Sequence, residues 1–160
     1  VKQRTCLQNA TRGNAMTYLE RAKRLAQECH AGQVDKAGYD YIDHVERVAD
    51  AVKGDVDAEI VAWLHDVLED GAEEFATQVF GFNNEIVDAV VLLTRRNDVA
   101  DDVYYERIKN NRLALKVKLA DIQDNMNDIR LGLLDNKTAQ RLRKKYTKAL
   151  NILNNVEEMK

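Results

Sequence analysis

Trp63-Leu64-His65-Asp66-Val67-Leu68-Glu69-Asp70 sets one histidine and three carboxylates among four large apolar side chains. Burying ionisable groups beside Trp63, Leu64, Val67 and Leu68 costs free energy unless something pairs with them. A bound cation is the simplest partner for such a set. The chain has only 3 histidines. One of them, His44, lies upstream, and an aspartate closes the apolar run Val117-Lys118-Leu119-Ala120-Asp121 downstream.

The residues around this stretch carry helical periodicity. From Ala15 to His30, the side chains of Leu19, Ala22, Leu25, Ala26 and Cys29 recur on one face. Gly32 ends that helix, and residues 31–39 form a loop. Asp40 is placed to cap a second helix running to Val52, with Ile42, Val45, Val48, Ala49 and Val52 inward. Gly54-Asp55 breaks the chain before a third helix from Asp57 to Leu68, closed by Gly71. A short helix is expected from Ala72 to Phe80 and a buried one from Asn84 to Thr94, where β-branched residues keep a strand as the alternative. Arg95 to Asp101 is a polar loop. Helices follow over Asp102–Lys109 and, as one long element, Leu113–Leu134. After a turn at Asp135-Asn136, an amphipathic helix runs from Lys137 to Glu158 with Leu142, Tyr146, Leu150 and Leu153 inward. The expectation is one all-α domain over 1–160, a bundle of about six to eight helices. Its core spans about 15–134 and its C-terminal helix about 137–158.

Length and composition agree. The chain has 160 residues, 45% of them hydrophobic, which suits one domain with a real core. A net charge of -3, from 24 basic and 27 acidic residues, gives no general attraction to nucleic acid or to a membrane surface. A local basic pocket is invisible to that sum. No apolar run reaches bilayer-spanning length, and Val1 to Cys6 lacks the apolar core of a secretory signal. Cys6 and Cys29 lack metal-type spacing and read as reduced thiols of a cytoplasmic protein. The absence of proline and the scarcity of glycine fit long helices with short connections.

On a helix, His65 stacks with Glu69 and Asp66 with Asp70, the two pairs about 100° apart around the axis. Spacing alone leaves open which group faces a metal. Two histidines and two aspartates form a mixed nitrogen and oxygen donor set suited to manganese, iron, zinc or magnesium, and the lack of thiolates argues against a closed structural zinc site. Lys118 and Asn125 flank Asp121 on its own helix face. Taken singly, each element has an ordinary alternative. His65-Asp66 can be a surface dipeptide, His44 a satisfied core or capping histidine, Asp121 with Lys118 a helix ion pair, and Glu69-Asp70 a solvated helix end. The ordered set, His then His-Asp then Asp in apolar surroundings, is far more specific than its parts.

These residues resemble the HD-domain superfamily of metal-dependent phosphohydrolases, and within it the hydrolase domain of RelA/SpoT proteins and their small single-domain relatives. The resemblance runs from Tyr18 to Leu131. It is carried by His30-Ala31-Gly32-Gln33, Gly38-Tyr39-Asp40-Tyr41-Ile42-Asp43-His44, Ala62 to Asp70, Phe80-Gly81, Val117 to Asp121 and Asn125-Met126. It implies that His44, His65, Asp66 and Asp121 hold a divalent metal, usually manganese. It implies that Glu69 and Asp70 position or activate the attacking water. Lys36, Lys118, Asn125 and Tyr146 fall where substrate contacts are expected. The implied activity is hydrolysis of a phosphate or pyrophosphate ester of a small phosphorylated nucleotide such as ppGpp. Two features depart from the family pattern. Val45 replaces a proline, and Asp35 stands where an arginine stacks on guanine, a role that a carboxylate cannot fill. From sequence, two other readings stay open: an HD-fold module that binds metal and nucleotide with little turnover, and a metal-free helical interaction protein.

Overall fold

The element that organises the molecule is α3, Val56–Leu64, which beyond the acidic first turn of Asp57 and Glu59 is apolar on every side. Ala58, Ile60, Val61, Ala62, Trp63 and Leu64 are all buried. A helix with no polar face has to be enclosed, and α3 is packed against four neighbours: α1 (Tyr18–Cys29), α2 (Tyr41–Ala51), α6 (Asn84–Leu93) and α8 (Arg112–Asn125). A computed structural model describes residues 15–155. Cys6 and the expected last turn at Glu158 lie outside the described residues. The remaining elements are α4 (Val67–Asp70), α5 (Glu73–Val79), α7 (Asp101–Lys109), α9 (Asp128–Gly132) and α10 (Asn136–Asn154). The described residues form ten helical segments, two more than the upper end of the expected six to eight, because two expected helices are each broken in two, and α4, α5 and α9 are single-turn to two-turn pieces.

The inward faces are those read from periodicity. Ala22, Leu25 and Ala26 of α1, Val45, Val48 and Ala49 of α2, and Ile86, Ala89, Val90 and Leu93 of α6 share one core with Val117, Ala120 and Ile122 of α8. α10 lies along α7 and α8 and buries Ala149 and Leu153 there, while Ala139 and Leu142 join Leu131 of α9 in a smaller cluster. Residues 84–93 are helical, not a strand. Among the described residues, no helix is long and apolar enough to cross a membrane.

Three boundaries differ from expectation, and all three lie at the site. The expected helix Asp57–Leu68 is interrupted, because Asp66 adopts φ -108°, ψ 1°, outside the α region, before the chain turns once more as α4. The expected single helix Leu113–Leu134 breaks at Met126, and Asn127 starts α9 by accepting from the backbone N–H groups of Ile129 and Arg130. Asp40 occupies the N-cap position of α2 but makes no side-chain cap bond. The loop before it is instead closed as a small antiparallel bridge, with Asp35 N–H donating to Tyr39 O at 2.8 Å and Tyr41 N–H to Gln33 O at 2.9 Å. The bridge turns at Gly38, whose φ of 87° is readily available only to glycine.

Leu64, fully buried at the C-terminal end of α3, gives a direct check of this packing. Leu64→Ala is expected to lower unfolding free energy by about 2–5 kcal/mol, read as a lower denaturation midpoint with an unchanged denaturant slope.

Candidate metal centre

The packing of α2 and α8 against α3 brings four ionisable side chains from distant parts of the chain to one buried point. His44 comes from α2, His65 and Asp66 from the α3–α4 break, and Asp121 from α8. His44, His65 and Asp121 are buried, and Asp66 is mostly so. One donor atom each of His44, His65 and Asp66 lies within 4.8 Å of the others. Asp121 joins them through Oδ1, 3.0 Å from His44 Nε2 and 3.7 Å from His65 Nε2.

The histidine tautomers follow from their outer partners. His65 Nδ1 is 2.6 Å from the carbonyl of Ala62, which can only accept, so Nδ1 carries the proton. In the neutral ring Nε2 is then left with a lone pair. It lies 2.9 Å from Asp66 Oδ2, yet the alignment makes no hydrogen bond, and the atom is buried without a partner. His44 Nδ1 is 2.6 Å from Asp124 Oδ2, another pure acceptor, which leaves its Nε2 facing Asp121. Nδ1 donated outward to a carboxylate or carbonyl, with Nε2 turned in, is how proteins orient metal-ligating imidazoles. Two imidazole nitrogens and two carboxylates without thiolate suit a divalent cation, and the orphaned Nε2 of His65 is the atom that a cation would satisfy. The residues therefore fit such a group.

The charges are arranged accordingly. Against the opposing pull of burial, Asp121 and Asp124 hold the His44 imidazole above its ordinary pKa, and Asp66 with Asp121 do so for His65. Burial likewise opposes ionisation of Asp121, but Lys118, His44 and His65 hold it well below the carboxylate range. Asp66 is lowered to about 2 by His65 against its own burial. Tyr41 donates its hydroxyl to Asp66, and burial together with that carboxylate pushes its own pKa far up. Lys118 Nζ reaches Asp121 Oδ2 at 2.9 Å, and Asn125 Nδ2 donates to Asp121 Oδ1 at 3.1 Å. Each carboxylate of the cluster thus has a fixed outer partner.

A second network secures His44. Arg130 Nη1 donates to Asp124 Oδ2 at 2.5 Å, Arg47 Nε donates to Asp124 Oδ1 at 2.8 Å, and Arg130 Nη2 reaches Asp35 Oδ2 at 3.1 Å. The other oxygen of Asp35 accepts from Ala37 N and Tyr39 N at 2.9 and 3.0 Å. Asp35 is therefore a strut between the α1–α2 loop and Arg130, not a group poised over a base.

Glu69 and Asp70 sit at the rim and face different elements. Glu69 accepts from the backbone N–H of Arg95 at 3.1 Å, in the α6–α7 loop, whereas Asp70 accepts from Gln33 Nε2 at 3.1 Å, in the α1–α2 loop. Burial raises the Glu69 pKa, with the charges of Asp66 and Asp70 adding to it. Opposite them is a basic rim. Partial burial, then the charges of Lys118, Arg95, Lys36 and Arg141, push the Lys145 ammonium down, so these five cations share one neighbourhood. Tyr146 is held there too, its pKa pushed up to about 12 by burial and by Asp121. Between α7 and α10 a cavity of about 250 Å³ continues this surface, lined by Asp101, Tyr105, Arg141, Lys144, Lys145 and Lys148.

Of the residues singled out from sequence, His44, His65, Asp66, Asp121, Lys118 and Asn125 form one contact network. Glu69, Asp70, Tyr146 and Lys36 surround it, Lys36 being exposed. Sequence reasoning assigned no role to Asp124, Arg130, Arg47, Tyr41 or Lys145. Their partners are up to 95 residues away, and no local spacing reveals them.

Fold and site together make an all-α bundle with a buried polar cluster at the junction of three helices. No protein-family model matches the chain, and no curated protein sequence does. Among solved structures it is similar to one described as a metazoan ortholog of SpoT that hydrolyzes ppGpp and plays a role in starvation responses. The TM-score is 0.69 with 21% identity, and the match covers 88% of this chain and 88% of that one. The chain thereby shares the fold of that structure.

Asp124 touches no metal donor except through His44, so its removal isolates the outer support. Asp124→Ala is expected to weaken manganese binding by about 10- to 100-fold, measured by titration calorimetry. Because His44 and His65 hold protons above their ordinary pKa, a metal must displace them. Affinity is then expected to rise from about pH 6 to about pH 8, and a flat profile would contradict the placement.

Proposed function

We propose that this protein is a divalent-metal-dependent phosphohydrolase acting on a small phosphorylated nucleotide, with a pyrophosphate ester of the ppGpp type as the leading substrate. The observation that supports it most is the pair of inward Nε2 atoms, one orphaned, beside two carboxylates and beneath a basic rim. His44, His65, Asp66 and Asp121 would hold the metal, with manganese the first candidate and iron, zinc or magnesium the others. Such an ion lowers the pKa of a bound water and offsets phosphate charge.

The chain's own groups then divide the work. Glu69, with its raised pKa, is the better proton acceptor near neutral pH. Asp70 orients the water. As the water oxygen bonds to phosphorus, one of its protons passes to Glu69, the P–O bond to the nucleotide breaks, and the departing oxygen takes up a proton from Glu69 or solvent. The products are a nucleotide alcohol and phosphate or pyrophosphate. Lys118, Lys36, Arg95 and Lys145 offset charge on the phosphoryl oxygens, and Asn125 and Tyr146 border the sugar. Lys144 and Lys148, in the cavity beyond Lys145, have no ion-pair partner among the described residues, which favours substrates carrying further phosphate groups.

A manganese-supplemented screen over ppGpp, nucleoside mono-, di- and triphosphates and cyclic dinucleotides tests this reading. Release of phosphate or pyrophosphate from one class, abolished in Asp66→Ala, is the expected result. Tight binding of ppGpp without release would instead identify a binding module. Reversing charge with Lys144→Glu and Lys148→Glu together is expected to raise KM about tenfold or more for multiply phosphorylated substrates. It should leave manganese affinity unchanged.

A further inference from the structure

His30 is 1% exposed, and its Nε2 is the other buried nitrogen without a partner. Its Nδ1 lies 2.8 Å from Gln33 Oε1. Gln33 Nε2 in turn donates to Asp70 Oδ2 at 3.1 Å. An amide has one acceptor end and one donor end, and it can point its donor at Asp70 only if something donates to its oxygen. The Nδ1–H of His30 does so. The imidazole is itself held from the other side by the Tyr41 ring, with centroids 5.2 Å apart. Leaving Nε2 unpaired in the core costs stability, which an apolar side chain of similar size would avoid. The histidine is therefore better explained by what Nδ1 does than by packing.

We infer that His30 and Gln33 form a positioning relay that aims the Asp70 carboxylate at the water. The inference rests on the water-handling role proposed for Asp70. The relay explains why the two rim acids are not equivalent. Glu69 is held by a backbone N–H and needs no side chain to orient it. Asp70, the last residue of α4 before Gly71, depends on an amide from the α1–α2 loop. Around Asp70 the other charged or titratable groups are Asp66, Glu69, Cys29 and Tyr41, none of which donates a hydrogen bond to its carboxylate. Gln33 is its side-chain donor among the described residues.

The test has two arms. In the first, ¹⁵N NMR of the metal-free protein reads the His30 tautomer. A proton on Nδ1 that shifts in Gln33→Ala supports the relay, whereas a proton on Nε2 would reverse the amide and overturn it, whether or not any substrate is known. In the second, Gln33→Ala is expected to lower kcat about tenfold while KM and manganese affinity stay within about twofold. In an Asp70→Asn background the same substitution should add nothing. His30→Asn, which keeps a donor near Nδ1, should retain most of kcat, and His30→Leu should not. An active wild type whose Gln33→Ala variant keeps full kcat sinks the relay alone. A manganese-loaded wild type inert on every substrate sinks the hydrolase reading and leaves the NMR arm to decide the relay.

Discussion

Four ionisable side chains held together away from water constrain everything around them. His44, His65, Asp66 and Asp121 cannot be buried as isolated charges, so each has been given an outer partner. Ala62 O serves His65, Asp124 serves His44, Tyr41 serves Asp66, and Lys118 with Asn125 serve Asp121. Those partners need partners of their own, which draws in Arg130, Arg47 and Asp35. The polar network thus spreads from α2 to α9 and recruits the α1–α2 loop. The apolar core fixes where the helices lie, and the charge cluster fixes how their ends and loops are finished.

The break between α3 and α4 illustrates the division. Nothing in Val56–Leu64 itself calls for a stop, since the segment is strongly apolar and free of proline and glycine. A continuous helix would carry His65 and Asp66 about 100° apart around the axis. The break instead brings Asp66 Oδ2 to 2.9 Å from His65 Nε2. Beyond it, Glu69 and Asp70 are consecutive on α4 and so point about 100° apart, one meeting the α6–α7 loop and the other the α1–α2 loop.

Periodicity made the fold legible. The inward faces of α1, α2, α6, α8 and α10 appear in the spacing of Leu25, Val45, Val48, Ile86, Val117 and Leu153, because burial of one helix face is a local pattern. The metal-type donors were also legible, since histidines are few and His65-Asp66 lies in an apolar run. The outer groups were not. Asp124 reads as one more exposed helix carboxylate, and Arg130 as part of a continuous helix, until the turn at Met126 brings it back to Asp35 and Asp124. The two expected helices that proved broken are those whose ends build the site. There, long-range charge pairing overrides local propensity.

The α3–α4 break has one more consequence, which concerns backbone charge. It puts the cluster at the carbonyl end of α3, where the aligned peptide dipoles leave partial negative charge. That end attracts a cation of any kind and repels an anion. Many phosphate sites use the opposite end of a helix, where free N–H groups meet the oxygens. Here that contribution has the wrong sign, so an anionic ligand would have to be received by side chains alone. Lys118 on α8, Arg95 in the α6–α7 loop and Lys145 on α10 come together from three elements, and under the proposed function α10 would be part of the pocket as well as a brace for the bundle.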